Sequence, residues 1–306
     1  EPPQIIVSDY ADIFRPGGWV RTPSARFDGR EWHPIPVELG TYLTAWDPDG
    51  DGPHLPVIAG VVDRTVKIWN GEVETVIGVF NGDLSGLDVW DPDADGPFPP
   101  RLLAFGGFTQ VGSDAVIRIA TWDGQTWESL GGGVDATIAT GRYVRSVTPW
   151  DPDGEGPAPM SLVVGGYFGR VGSGQGIQAA YVARWDGQSW HTVGTDLAGT
   201  AHRLLKWNDG TREHLLSGTT NEQGIQIRRF DGTRWIPMGS RFSLPSSRGG
   251  VYAIDFDGPG PAVARLVALT PQRISEWDGT DWIRLDRIFW SLAFDLFQGA
   301  VLRTES

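Results

Sequence analysis

One short motif recurs along the whole chain and constrains the fold more than any other feature. An aromatic residue is followed by Asp-Gly, two variable residues and Trp, and intact copies begin at Phe27, Trp122, Trp185, Phe230 and Trp277. A further copy begins at Trp69 but has Glu74 in place of the closing Trp. Copies at such intervals indicate that one supersecondary unit is repeated along or around an axis.

The best-preserved unit, residues 143–193, contains four apolar segments separated by turn-forming residues. We denote them strands A, B, C and D, and they cover residues 144–150, 160–167, 179–185 and 190–193. Asp186-Gly187 between strands C and D is typical of a tight hairpin. Glycine (42) and proline (22) are too frequent for long helices. Each unit is therefore predicted to be a four-stranded antiparallel sheet, and the chain to be all-β.

The same strand order fits five stretches completely, namely 40–78, 86–130, 143–193, 201–238 and 249–285. Residues 289–304 match strands A and B alone, and residues 22–36 match strands C and D alone. Joined, the two ends form a sixth sheet and close a ring without an exposed edge. The prediction is a single domain over 1–306, a six-bladed β-propeller of four-stranded antiparallel blades, with its closing blade split between the N- and C-termini.

Details of the repeat resemble the kelch-type propeller family. Glycine pairs end strand B at Gly106-Gly107 and Gly165-Gly166, an aromatic residue ends strand C, and Trp opens strand D. The stretch from Ala183 to Trp190 is similar to the repeats of secreted bacterial kelch-like proteins. The resemblance concerns blade structure only, and with it we expect an extracellular or periplasmic location.

Charge and composition exclude several classes of function. The net charge of −13 repels a phosphate backbone, so nucleic acid is not an expected partner. The chain has no cysteine, which removes thiolate nucleophiles and Cys-ligated metals. No apolar run reaches the roughly 18 residues needed to span a bilayer. Because the sequence begins at Glu1, we expect a processed chain whose leader is missing, and we expect a monomer.

Two residue types that often mark binding sites are explained by the repeat instead. All Trp residues except Trp19 and Trp290 fall at the ends of A strands or in the hairpins, and we predict that they pack between sheets. The five histidines show no metal or catalytic spacing. They are predicted to be hairpin or surface residues.

Two acidic turns between strands A and B have the pattern of a calcium loop. Their alternating carboxylates belong to Asp47, Asp49 and Asp51 and to Asp91, Asp93 and Asp95. Three such carboxylates around a Gly turn can converge on one hard cation. The later ligands of a calcium loop are missing, however, and Asp side chains that cap their own backbone explain the same pattern. Bound calcium therefore stays open, and no other cofactor is predicted.

The connections at the other rim of the sheets, from B to C and from D to the next A, vary in length. Irregular loops on one side of a regular scaffold are where repeat proteins usually place binding sites. Arginine there can hold a carboxylate or sulfate through paired donors. The candidate ligand-binding residues are Arg142, Tyr143, Tyr167, Arg170, Arg203, Arg241 and Arg248. The alternative is that they are ordinary solvated loop residues.

Three functions are compatible with this sequence. The leading hypothesis is an extracytoplasmic propeller that binds a glycan or protein partner on its variable-loop face. The second is a carbohydrate-active enzyme, a glycosidase or lyase, whose acid and base come from the same loops. The carboxylates available there are Asp114, Asp135, Asp196 and Glu222. The third is an interaction scaffold within a larger surface protein.

Overall fold

A computed structural model describes residues 5–15, 18–28, 30–50, 52, 55–91, 98–135, 141, 143–151, 153, 156, 160–174, 176–194, 196–242, 250–254, 264–270 and 273–285. Within these ranges all regular structure is β-strand apart from one 3-10 turn at Leu130–Gly132. The all-β prediction is confirmed. In the same ranges, no helix has the length and apolar character needed to cross a membrane.

The chain divides into two compact units, and the described part of the first covers residues 5–91 and 98–130. Its first sheet consists of β1 (Ile5–Arg15), β2 (Gly18–Phe27) and β3 (Trp32–Ile35). The second sheet consists of β4 (Thr41–Trp46), β5 (Val57–Val62), β6 (Thr65–Trp69) and β7 (Glu74–Val79). The third sheet begins with β8 (Leu84–Trp90) and β9 (Arg101–Gly106). After a small hairpin of β10 (Gln110–Val111) and β11 (Asp114–Ala115), it continues with β12 (Ile119–Trp122) and β13 (Trp127–Ser129).

The described part of the second unit lies within residues 131–285. Its fourth sheet begins with β14 (Tyr143–Trp150) and β15 (Ser161–Tyr167). After the small hairpin β16 (Arg170–Val171) and β17 (Ile177–Gln178), it continues with β18 (Val182–Trp185) and β19 (Trp190–Thr192). The fifth sheet consists of β20 (Thr200–Asn208), β21 (Glu213–Asn221), β22 (Gly224–Phe230) and β23 (Trp235–Pro237). The sixth consists of β24 (Gly250–Ile254), β25 (Arg265–Thr270), β26 (Arg273–Trp277) and β27 (Trp282–Arg284).

The second to sixth sheets are four-stranded and antiparallel, in the order A, B, C, D. Sheets of this kind are the blades of β-propellers, and the structure is consistent with that fold. The core lies between neighbouring sheets of each unit, as where Leu216 of the fifth sheet packs with Val251 of the sixth.

The first sheet contains a strand that the sequence pattern did not predict. In it Ile5 of β1 pairs with Phe27, just as Leu162 of strand B pairs with Trp185 in the fourth sheet. Strand β1 therefore stands in the B position, beside the predicted strands C and D. The predicted strands over 289–304 lie outside the described residues.

The recurring motif forms the tight hairpin between strands C and D. In the fourth sheet Trp185 pairs with Trp190, and the other intact copies pair in the same way. The Oδ1 atom of Asp186 accepts hydrogen bonds from the backbone amides two and three residues later, at 2.9 and 2.7 Å. Gly187 follows with a φ of 95°, a left-handed conformation that glycine adopts at little cost. The motif is therefore an Asx-turn signature.

In four of the five intact copies the closing Trp is buried and bonded to the backbone one repeat earlier in the sequence. Its indole Nε1 donates to a carbonyl oxygen at 2.7 to 2.9 Å in four cases: Trp127 to Ile77, Trp190 to Gly131, Trp235 to Val193 and Trp282 to Met238. These contacts confirm the packing prediction for these four Trp residues. In the damaged copy, Glu74 instead forms an ion pair with Lys67 at 2.8 Å.

Candidate functional site

The edge strands of the second unit carry a group of aromatic and basic side chains. Strands β14, β20 and β24 each form the first edge of their sheet. We call the group the Tyr/Arg cluster, and it consists of Tyr143, Arg145, Tyr167, Tyr181, His202, Arg203 and Tyr252.

Two β-bulges place the basic members of this cluster. The register of β14 against β15 shifts between Val144 and Ser146, and that of β20 against β21 shifts between Ala201 and Arg203. Arg145 and His202 are therefore the extra residues of equivalent bulges. A bulge bends its strand and redirects a side chain away from the regular alternation.

The two bulged strands are held to each other by a side-chain hydrogen bond. The Oγ atom of Ser146 accepts from the backbone amide of Leu204 at 3.0 Å. Ser146 follows the bulge residue of β14, and Leu204 lies two residues after the bulge residue of β20. The bond therefore fixes Arg145 and His202 as neighbours across the two sheets.

Three tyrosines form a row along the end of the fourth sheet. The ring centroids of Tyr143 and Tyr167 are 6.1 Å apart, and those of Tyr167 and Tyr181 are 6.2 Å apart and nearly parallel. Tyr167 is 38% exposed. Aromatic rings at these separations attract each other and stiffen the surface that they form.

The row is built on a backbone that requires the glycine pair. Tyr181 has a φ of 71°, unusual for a bulky residue. Its carbonyl accepts from the amide of Gly166 at 3.0 Å, and its amide donates to the carbonyl of Phe168 at 3.1 Å. A Cβ added to Gly166 would lie 2.2 Å from the carbonyl oxygen of Tyr143, so no larger residue fits there.

Both arginines of the cluster lie over tyrosine rings. The guanidinium carbon of Arg145 is 5.0 Å from the ring centre of Tyr143, and that of Arg203 is 4.3 Å from the ring centre of Tyr252. Both side chains are exposed, and neither forms an ion pair within the described part of the chain. A cation held on an aromatic face in this way keeps its N–H edge available to a ligand.

His202 lies beside this pair as a neutral donor or acceptor. Burial lowers the pKa of His202 to about 4, and the positive charge of Arg145 acts in the same direction. The imidazole is therefore uncharged at neutral pH.

The structure brings three of the predicted binding residues into the cluster: Tyr143, Tyr167 and Arg203. Two others bond elsewhere. The Arg170 guanidinium donates to the carbonyl of Gly176 at 3.3 Å, and that of Arg241 donates to Oδ1 of Asn221 at 3.2 Å. Arg142 and Arg248 lie outside the described residues.

Sequence reasoning missed Arg145, Tyr181, His202 and Tyr252. All four lie on or next to regular strands, whereas the sequence pattern directed attention to the variable connections and the strand ends beside them. The available signal was the alignment of Val144-Arg145-Ser146 with Ala201-His202-Arg203, because both triplets stand at the same place in strand A.

Two of the loops expected to be irregular insertions are repeated structural hairpins. Strands β10 and β11 pair as β16 and β17 do, and Val111 and Val171 occupy the same position in each. Val111 also bridges to Phe80, and Val171 bridges to Val134. The sequence Phe-x-x-Val-Gly-Ser, present at residues 108–113 and 168–173, was the signal that marks them as part of the repeat.

Three of the carboxylates that could supply the acid and base of an enzyme accept hydrogen bonds from other groups of the protein. Asp135 Oδ2 accepts from the amide of Gly169 at 3.2 Å, and Asp196 Oδ1 accepts from the amide of Trp235 at 3.0 Å. Asp114 Oδ1 accepts from the hydroxyl of Ser113 at 3.3 Å. These contacts do not assemble an acid and base pair.

One carboxyl in the first unit has a raised pKa. Burial raises the pKa of Asp88, and the backbone amide of Val89 partly opposes the change. No second carboxylate is among the groups that act on it, so the pattern of paired carboxylates expected of a glycosidase is not met at Asp88.

Three histidines are hairpin residues, as predicted. Each accompanies the Asp five residues before it, with Nε2 close to Oδ2: His33 with Asp28, His191 with Asp186, and His214 with Asp209. The amide of Glu31, the imidazole of His33 and the amide of Arg30 hold the pKa of Asp28 well below its ordinary range. These pairs stabilise turns rather than forming a site.

The predicted calcium loops are described only in part. Asp47 and Asp91 follow β4 and β8 directly, and Oδ1 of Asp47 accepts from the amide of Asp49 at 3.3 Å, as an Asx turn requires. Asp51, Asp93 and Asp95 lie outside the described residues. Among the residues that are described, no three His, Asp or Glu side chains are placed to hold a metal ion. Whether these turns bind calcium therefore stays open.

Comparison with known proteins finds a likeness in structure and no match in sequence. No protein-family model matches the chain, and no curated protein matches it in sequence. The chain is similar to the crystal structure of BBS1N in complex with ARL6DN, soaked with lead, at 13% identity and a TM-score of 0.48, covering 90% of this chain and 79% of that one. The mercury-soaked crystal of the same complex gives 13% identity and a TM-score of 0.48, covering 92% and 84%.

Proposed function

We propose that this protein is an extracytoplasmic binding propeller that recognises a glycan or protein partner. Its recognition surface is the Tyr/Arg cluster of the second unit. The observation that carries the proposal is the pair of exposed guanidinium groups on tyrosine rings, neither of which forms an ion pair within the described part of the chain.

The propeller in this proposal is a monomer of six kelch-like blades closed by both ends of the chain. Five four-stranded sheets and the three-stranded first sheet support that blade count. Because β1 already stands in the B position of the first sheet, a strand from residues 289–304 would complete the sheet at the edge of β1 that pairs with no other described strand.

Binding accounts for the cluster better than catalysis does. Catalysis on a sugar needs an acid and a base or nucleophile at a defined separation, and the bonded carboxylates of the variable loops are committed to neighbouring groups. Rigid aromatic rings and arginine are the side chains that dominate binding surfaces. The observations thus favour a ligand-binding surface over an active site.

Parallel screens on a glycan array and on secreted proteins test the proposal. The double variant Tyr167→Ala with Arg203→Ala should lose the ligand found by either screen. Its control is Arg234→Ala, which removes an exposed arginine from a hairpin turn outside the cluster. Undiminished binding by the double variant would remove the cluster from consideration as the recognition surface.

A further inference from the structure

The bulged edge strands of the second unit point to a narrower ligand chemistry, and this inference rests on the proposed binding function. We propose that Arg145, His202 and Arg203 bind the carboxylate of an acidic saccharide residue, with the rings of Tyr143 and Tyr252 holding the two guanidinium groups in place.

The first step is that three nitrogen-bearing side chains stand on two strands that are bonded to each other. Arg145 and His202 are equivalent bulge residues, and the Ser146–Leu204 hydrogen bond joins their strands at 3.0 Å. Arg203 follows His202 directly. The cationic groups therefore come from rigid strands rather than loops, which suits a preorganised site.

The second step concerns the hydrogen-bonding edge that each arginine can present to a ligand. Stacking on a tyrosine ring covers one face of each guanidinium group and leaves its N–H edge accessible to a ligand. That edge matches a carboxylate in a two-bond arrangement. Neither Arg145 nor Arg203 is neutralised by a carboxylate among the described residues, so an anionic ligand would meet no internal competitor there.

The third step concerns His202, which would report the ligand's charge. Among the described residues, Arg145 from β14 supplies the positive charge that acts on the imidazole, and Arg203, which lies over the ring of Tyr252 from β24, is the next residue of its own strand. With a pKa of about 4, the free imidazole is neutral. A carboxylate bound within reach favours the protonated ring, so the pKa of His202 rises on binding.

A saccharide fits this surface better than an extended peptide. A peptide strand adds to a straight, unpaired sheet edge, and a bulge interrupts the edge of both β14 and β20. The net charge of −13 also disfavours a densely charged polyanion. An isolated uronate within an otherwise neutral saccharide needs no straight strand edge and carries only one negative charge. The tyrosine row provides rings beside which the sugar residues can lie.

The test is a pH titration of His202 by NMR, with its signal identified from the spectrum of His202→Asn. The probes are an oligosaccharide containing glucuronate and the same oligosaccharide with glucose in its place. The glucuronate probe should raise the pKa of His202 from about 4 by at least about 1 unit, whereas the glucose probe should leave it unchanged. Affinity for glucuronate should increase as the pH falls from 7 to 5.

A second measurement uses Arg145→Gln, with Arg234→Gln as the matched control. Loss of a hydrogen bond to a charged group predicts weakening of glucuronate binding by roughly tenfold or more in the first variant and none in the control. Equal binding of both probes, with no change in Arg145→Gln, would overturn the carboxylate site and leave the binding function standing. An acidic peptide that shifts His202 when glucuronate does not would overturn the saccharide assignment, and no shift with any probe would overturn the site altogether.

Discussion

Replacing Trp235 by Phe tests whether the indole hydrogen bonds hold the sheets to one another. Trp235 is 1% exposed, and its Nε1 donates to the carbonyl oxygen of Val193 at 2.7 Å. Phenylalanine retains an aromatic ring beside Phe230 but has no donor. The variant therefore separates the hydrogen bond from most of the apolar packing.

The expected loss follows from two contributions. The carbonyl of Val193 loses its partner in a buried place, which costs about 1 to 3 kcal/mol. The smaller ring leaves space that the neighbours fill only in part, and since full truncation of a buried Trp costs about 3 to 5 kcal/mol, we assign about 1 kcal/mol to this change. The sum predicts that the free energy of unfolding falls by about 2 to 4 kcal/mol.

Urea denaturation followed by far-UV circular dichroism measures this change through the midpoint at constant slope. Trp19→Phe is the control, because Trp19 is 73% exposed and belongs to no hairpin motif. Surface substitutions of this kind stay within about 0.5 kcal/mol of the parent. If Trp235→Phe loses no more than Trp19→Phe, the indole bonds do not carry the stability assigned to them.

Three further predictions address the hairpins, the acidic turns and closure. Burial raises the pKa of Asp186, but the amides of Ser189 and Gln188 and the imidazole of His191 outweigh it and hold the pKa below its ordinary range. A carboxyl whose pKa is lowered by folding stabilises the folded state above the unfolded pKa of about 3.9, and this stabilisation is lost as the pH falls. Asp186→Asn should therefore flatten the dependence of the urea midpoint on pH between about 4 and 2. An unchanged slope would contradict this. If the acidic turns bind calcium, calorimetric titration of chelator-stripped protein with millimolar calcium should give heat that disappears in Asp49→Asn; no heat would end the calcium hypothesis. Deleting residues 289–306 should abolish cooperative unfolding, and a truncated protein that melts as sharply as the full chain would count against closure.

The repeat was predictable because its chemistry is local. Asp186, Gly187 and Trp190 fix one hairpin through contacts that span at most five residues, so each copy can be read directly from the sequence. The strand order around it follows from the apolar segments. Strand β1 was not predictable in this way, because residues 5–15 contain neither a copy of the motif nor the glycine pair that is found at the ends of β9 and β15.

The candidate site was predictable only in part for a related reason. Tyr143 and Tyr167 follow from the pattern because they end strands at the variable rim. Arg145 and His202 depend on bulges, and a bulge is decided by the pairing of two strands rather than by the bulged residue. The loop at residues 168–177 was misjudged because its partner, Val134, lies more than thirty residues earlier in the sequence.

The indole bonds also bear on how such a chain can lengthen. In four copies the donor is the closing Trp and the acceptor lies in or just after the last strand of the preceding sheet, 42 to 59 positions upstream. A duplicated segment of this kind would arrive with a donor for the copy before it and an acceptor for the copy after it. Gene duplication could then add or remove a whole module without requiring compensating substitutions at the new junction.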